Sequence, residues 1–281
     1  MKKVIIQGYP GSFHDQACNL YFNGEKLDVI PANTFNELGV KFSEDQSIDY
    51  AVMAIENSIA GTILQNYRIL RERKLRVIGE VYLRIELNLM GLETQDFDEI
   101  KEVHSHPMAL NQCLRFLNQY PKVKLVESED TALTAKLIAE KKHTHIAALA
   151  SSRAAEIYHL KMHYKSIEDN KANYTRFFIV QKEISLLPYV NKASIYCRVS
   201  HDKGSLLKVL ACIKSYDMNL SKLQSFPVLG KLTEYFFHLD IEFDEVSDYH
   251  KLMIDLAPIA NELEELGVYS RADISQALAK N

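Results

Sequence analysis

"KKVIIQGYPGSFHDQACNLYF", residues 2–22, is the stretch on which the reading of the fold turns. Val4-Ile5-Ile6 is a short, β-branched apolar run, as expected of a strand covered on both faces. Gly8-Tyr9-Pro10-Gly11-Ser12 is turn chemistry, and from Phe13 the apolar positions take helical spacing. One strand–turn–helix unit means little alone, but this one recurs. "LDVIPA" (27–32) reads as a strand and "NTFNELGVKF" (33–42) as a helix capped by Asn33 or Thr34. "DYAVMAIEN" (49–57) is a strand, and "SIAGTILQNYRILRERK" (58–74) has helical spacing. Repeated β-then-α units predict open, largely parallel sheets with helices on both faces.

The pattern continues through a long strand region at 76–91, a strand at 100–106, and a helix over 107–120 with Pro107 in its first turn. Strands at 122–128 and 144–151 alternate with helices at 131–142, capped by Asp130, and at 152–160. "TRFFIV" (175–180) closes the series. The apolar regions near 77–90 and 174–181 can carry the chain between two lobes, 1–76 plus 163–182 and 77–162. A cleft between such lobes is the default place for a small ligand. "QKEISLLPYVNK" (181–192) reads as a linker. Beyond it, strand, helix, two strands, a helical region over 246–267 interrupted at Pro258, and a last strand at 268–274 predict a ferredoxin-like βαββαβ unit.

At 281 residues the chain has room for roughly two domains. A net charge of -4 implies no general attraction to nucleic acid. The apolar run near the start is too short for a signal-peptide core, and no stretch approaches the ~18 apolar residues of a membrane span. Cys18, Cys113, Cys197 and Cys212 form no CxxC pair and read as thiols in a reducing cytoplasm. There is no GxGxxG, GxxxxGK[ST] or GxSxG. His104 and His106 alternate along a strand without an evident third ligand, so no metal is expected.

Six polar clusters fall at predicted strand ends: 8–12, 55–62, 104–112, 127–132, 148–152 and 173–176. Strand ends that feed helix N-termini favour anions, so together they point to a pocket for a small acid. The plainer reading is a set of turns and caps. At "NYTRFF" (173–178), Asn173, Thr175 and Phe177 share one strand face and Tyr174, Arg176 and Phe178 the other. Thr175 and Arg176 should therefore not both face one ligand. Arg176 either clamps a carboxylate across the strand end or braces the structure.

"GYPGSFHDQAC" (8–18), "AIENSIAGTI" (54–63), "SHPMALNQC" (105–113), "EDTALTAKLIAE" (129–140), "AALASSRAAEIY" (147–158) and "NYTRFFIV" (173–180) resemble, in order, the motifs of prephenate dehydratase. "KGSLLKVLACIKSYDMNLSKLQSFP" (203–227) resembles that family's carboxy-terminal ACT regulatory domain. The resemblance implies a two-lobed, periplasmic-binding-protein-like α/β catalytic domain over 1–182 and an ACT domain over 191–277. It implies conversion of prephenate to phenylpyruvate in phenylalanine biosynthesis, without cofactor or metal, in a cytoplasmic homodimer or homotetramer. Arogenate dehydratase and a non-catalytic amino-acid sensor are the alternatives.

Carried over by residue, Thr175, Asn57, Ser105 and Gln112 are the expected catalytic groups. Glu56, Ser58, Thr62, Thr131, Ser151, Asn173 and Arg176 are expected substrate contacts. Phenylalanine is the implied allosteric effector, held by Gly204, Ser205, Leu206, Gln224 and Ser225. Two positions depart from the family pattern. Met108 stands where glutamine is common, and Gln224-Ser225-Phe226-Pro227 replaces an ESRP-like motif. The second departure puts phenylalanine sensing in doubt.

Overall fold

A computed structural model describes residues 1–183, 187–228, 230–231 and 234–275. They form two compact units. The first joins Met1–Ile69, Val81–Ile179 and the described residues from Asp273; the second joins Leu70–Glu80 and Val180–Ala272. The predicted linker lies partly outside the described residues, as do the last two positions of the 191–277 domain.

The chain begins β1 (Lys2–Gln7), α1 (Phe13–Tyr21), β2 (Leu27–Ala32), α2 (Phe35–Glu44), β3 (Tyr50–Asn57), β4 (Gly61–Thr62), α3 (Leu64–Glu72) and β5 (Arg76–Arg84). It continues β6 (Asn88–Gly91), β7 (Glu102–Ser105), α4 (Pro107–Asn111), α5 (Leu114–Leu117), β8 (Lys124–Glu127) and α6 (Thr131–Lys141). Then come β9 (Ile146–Ala150), α7 (Ser152–Tyr158), β10 (Lys161–Tyr164) and β11 (Tyr174–Gln181). One sheet has the order β2-β1-β3-β11-β5 with β4 on β3, and β1 is parallel to both β2 and β3. A second has the order β10-β6-β9-β7-β8; β7 is parallel to β8 and β9, and β6 and β10 are antiparallel additions.

Capping starts the helices where the sequence places them. Ser12, Thr34, Asp130 and Ser151 each accept a backbone N–H from the first turn of α1, α2, α6 and α7. Thr34, not Asn33, is the cap of α2. β11 is buried on both faces. Phe177 meets His14 of α1 on one side, with ring centroids 5.0 Å apart, and Phe178 meets Tyr67 of α3 on the other, at 6.2 Å.

Several elements differ from expectation. The 107–120 helix is two short helices, because Asp169 intervenes: its N–H donates to the Gln112 carbonyl (2.7 Å) and its carboxylate accepts the Arg115 N–H (3.2 Å). The strand region 76–91 is two strands in different sheets. Between them Ile85 N–H donates to the Asn173 carbonyl (2.8 Å) and Leu87 N–H to Glu168 (2.9 Å). The sheets thus divide the chain after β5 and after β10, whereas the sequence places the changeover at 76/77 and 162/163. β10 itself has too short a pattern to stand out.

The second unit contains β12 (Lys192–Arg198), α8 (Ser205–Ser215), β13 (Asn219–Pro227), β14 (Tyr235–Glu242), α9 (Val246–Leu256) and β15 (Glu262–Tyr269). Its antiparallel sheet has the order β13-β14-β12-β15, the ferredoxin-like βαββαβ arrangement. Residues 262–267, read as helix, are strand: α9 stops at Leu256 before Pro258, and β15 pairs with β12. Ala193, Ile195, Val209, Ile213, Leu239, Ile241, Leu252 and Leu256 make its core. The segment Leu70–Glu80 is bound into this unit by Lys192, whose Nζ lies 3.0 Å from Glu80 and 3.6 Å from Glu242.

Candidate active site

The six polar clusters do not form one group. Those at 55–62, 104–112 and 173–176 meet through side chains; those at 8–12, 127–132 and 148–152 close on each other as a joint.

At the joint, the Ser151 hydroxyl donates to the Gly11 carbonyl and Tyr158 OH to the Pro10 carbonyl (2.8 Å). Asp130 lies against Gly8, where a Cβ would come 2.5 Å from its Oδ2, and burial raises its carboxyl above its usual range against the pull of nearby backbone N–H groups. Gly11 has φ +89°, and a Cβ there would lie 2.8 Å from Ala154 Cα. Thr131 is buried in the first turn of α6. Ser151 and Thr131 are therefore a cap and an interior hydroxyl of this joint. They are not brought to Thr175.

The other group is a chain of hydrogen bonds. Asn57, at the end of β3, donates from Nδ2 to Asn173 Oδ1 (2.8 Å), to Thr175 Oγ1 (2.9 Å) and to the Tyr174 carbonyl (3.2 Å). Asn57 Oδ1 accepts the N–H groups of Ile59 and Ala60, each at 2.9 Å. Asn173 Nδ2 donates to Gln112 Oε1 (3.0 Å) at the C-cap of α4. Asn173 is fully buried and Thr175 is 7% exposed, whereas Asn57 and Gln112 are half-buried and residues 58–61 are exposed. Thr175, Asn57, Gln112 and Asn173 are thus assembled at a surface-accessible strand end.

Ser58 closes this end by backbone and hydroxyl bonds: its hydroxyl donates to the Ala172 carbonyl (3.0 Å) and accepts Tyr174 N–H (2.9 Å). Glu56 and Thr62 pair across β3 and β4 beside Asn57. Ser105 stands apart. It is fully buried and spends its hydroxyl on the Leu149 carbonyl (2.6 Å), joining β7 to β9. Arg176 lies on the other face of β11 from Thr175, as strand parity requires. It is 3% exposed, with its guanidinium 4.7 Å from the Phe178 ring centroid and 5.8 Å from that of Tyr82. His104 binds Glu102 (2.7 Å), and His106 caps α4 by accepting Met108 N–H (3.2 Å).

In the second unit, Val199–Leu207 with Glu234, Tyr235 and Phe237 line a recess of about 380 Å³. Gly204, Ser205 and Leu206 are part of it; Gln224 and Ser225 are not among its lining residues. Gly204 (φ +83°) turns the chain into α8 without a side-chain cap, and the Ser205 hydroxyl bonds Ser200 (2.8 Å).

What the sequence does not display is Asp169, which splits the 107–120 helix and so leaves Gln112 at its end, and the N–H groups of Ile59 and Ala60 that hold Asn57. Backbone donors leave no mark in residue identity.

The family model described as "Prephenate dehydratase" matches residues 4–185. The bifunctional chorismate mutase/prephenate dehydratase of Escherichia coli K12 is 30% identical over 281 residues, 97% of this chain and 72% of that protein. The Arabidopsis thaliana arogenate dehydratase/prephenate dehydratase 1, chloroplastic, is 32% identical over 257 residues, 85% of this chain and 64% of that protein. A solved structure described as GqqA, a novel type of quorum quenching acylase, superposes with a TM-score of 0.86 at 27% identity, covering 97% of this chain and 99% of that one. With a family match over more than half its length, built on the strands and turns that carry the Asn57–Thr175 cluster, the chain belongs to the prephenate dehydratase family.

Proposed function

We propose that the protein converts prephenate to phenylpyruvate, with the reacting end of the substrate against Thr175, Asn57 and Gln112. The observation that carries this is the Asn57–Thr175 bond. Thr175 Oγ1 accepts from Asn57 (2.9 Å), and its own proton has no acceptor among the described residues. It is available to the ring hydroxyl that leaves.

In the reaction the bond from the ring to its carboxylate breaks and carbon dioxide departs. That electron pair becomes a ring double bond, and the bond to the ring hydroxyl breaks. The departing oxygen takes up a proton and leaves as water. Aromatisation drives the change, so the protein's task is to orient the dianion and stabilise the leaving oxygen. A threonine hydroxyl is a weak acid, and the Asn57 N–H shared with it helps it to donate. Glu56, Ser58 and Thr62 shape the loop beside the site. Ser105, Ser151, Thr131 and Arg176 support the scaffold around it.

Purified protein mixed with prephenate alone should yield phenylpyruvate; no product would sink this reading. Arogenate undergoes the same elimination, and faster turnover of arogenate would transfer the assignment to it. Acylase activity, as the structural neighbour's description has it, would call for a nucleophile activated by a base. Thr175 instead accepts a hydrogen bond from an amide.

The ferredoxin-like unit serves, in this proposal, as an ACT-type regulatory domain, with phenylalanine in the recess at Gly204, Ser205 and Leu206. Its amino-acid carboxylate would meet the N-terminus of α8. The protein would act in the cytoplasm as a homodimer or homotetramer; no helix among the described residues is long and apolar enough to cross a membrane. Phenylalanine should lower the turnover of prephenate. An unchanged rate, with no binding, would remove the regulatory assignment and leave the catalytic one standing.

A further inference from the structure

We propose that the N–H groups of Ile59 and Ala60 and the buried Asn173 amide together set the hydrogen-bond polarity of the site, so that Thr175 and Gln112 both present donors to the substrate. This rests on the prephenate reading and makes Asn173 a positioning residue.

Each step is forced by the one before. Backbone N–H groups can only donate, so the Asn57 atom that receives those of Ile59 and Ala60 (2.9 Å each) must be its oxygen. Its NH2 group is thereby turned toward β11, where it can only donate. Asn173 must answer with its oxygen (2.8 Å), and Thr175 Oγ1 must accept (2.9 Å). With its oxygen committed, Asn173 has only its NH2 group left for Gln112, which accepts through Oε1 (3.0 Å). Two groups come out of this sequence unspent. The Thr175 proton points away from Asn57, and the Gln112 NH2 group points away from Asn173. Neither has an acceptor among the described residues. Both therefore suit a substrate oxygen that gains negative charge, as the departing hydroxyl does.

Asn173 is fully buried between its two partners, so a reversed amide could not be rescued by water. One group in the interior thus decides what Gln112 shows at the surface.

Asn173→Asp tests this in the full-length protein with prephenate as the probe. The ionised carboxylate can only accept. It still receives Asn57, but Gln112 must turn its NH2 group inward and show oxygen to the substrate. The protonated carboxyl restores the parent pattern, accepting from Asn57 and donating O–H to Gln112. The introduced group starts near 3.9, and burial raises it. The expected kcat of N173D is roughly 10²-fold below the parent at pH 8. The ratio to the parent should recover tenfold or more as pH falls through the raised value, with KM changing less than kcat. A group that only fills space would give a ratio independent of pH.

Gln112→Glu, on a half-buried residue, should show the same recovery, because its outward oxygen becomes a donor when protonated. N173D decides the matter where its circular dichroism matches the parent; where it does not, Q112E decides. A pH-independent ratio, or parent-level kcat throughout, overturns the proposal while leaving an active parent enzyme. A parent inert toward both prephenate and arogenate removes the functional reading and the relay with it.

Discussion

Thr175 and Arg176 are adjacent in the sequence, yet one shares a hydrogen bond with Asn57 and the other stacks over Phe178 and Tyr82. Strand parity makes that division readable from "NYTRFF" alone. Which partner each would find is not readable, because Asn57 is 118 residues away in the chain. Thr175→Val keeps the shape and removes the donor; kcat for prephenate should fall about 10²–10⁴-fold with an unchanged circular dichroism spectrum. His14 makes a second, pH-dependent prediction. It is 8% exposed, accepts Ala54 N–H (3.2 Å) and packs against Phe177, and burial holds its pKa down at about 3. Between about pH 6.5 and that value the unfolded chain binds a proton that the folded chain refuses. Stability should therefore fall as pH drops through this window, approaching ~1.4 kcal/mol per unit. Urea midpoints at pH 7 and pH 5 for the parent and His14→Gln check it: the variant should lose less on acidification.

The turn at 8–12 reads in the sequence as a possible anion-binding loop, and the structure makes it a joint. Its backbone groups are taken by Ser151, Tyr158 and Asp15. Gly11 lies under Ala154 with positive φ, so Gly11→Ala combines a strained backbone with a clash. Each effect is worth on the order of 1–3 kcal/mol. Thermal unfolding should show a loss of several degrees or more, and a midpoint within a degree of the parent would refute the close packing assigned to this turn. The split of the 107–120 helix illustrates a different limit. Its periodicity is that of one helix, but Asp169 takes both the Gln112 carbonyl and the Arg115 N–H. A partner more than fifty residues on overrides local propensity.

Each of the two compact units has a buried core of its own, and in the second a buried ion pair adds to it. In the second unit, Lys192 is 3% exposed and Glu80 fully buried, with Glu242 as a further partner of the lysine. Ala272 N–H also donates to Glu80 (3.2 Å). Lys192→Met would take the lysine ammonium away from this buried carboxylate, a loss of about 3–5 kcal/mol. Lys192→Met combined with Glu80→Gln should recover much of it. Denaturant melts of the single and double variants decide this, and equal losses in both would refute a coupled pair.

The β-then-α series, the Asp130 cap and the βαββαβ order of the second unit follow from local periodicity and turn chemistry, so the amino-acid sequence by itself determined them. The same holds for the face of β11 that carries Thr175, since alternation along a strand is a property of the backbone. Tertiary structure alone decided that residues 262–267 pair as a strand, because β12 supplies ladder partners that a highly acidic run does not advertise. It also decided that three polar clusters meet at Asn57 while three others lock together at Gly11. Hydrogen bonds join groups brought together by folding, and neither those partners nor the direction in which each amide points is written at any single position.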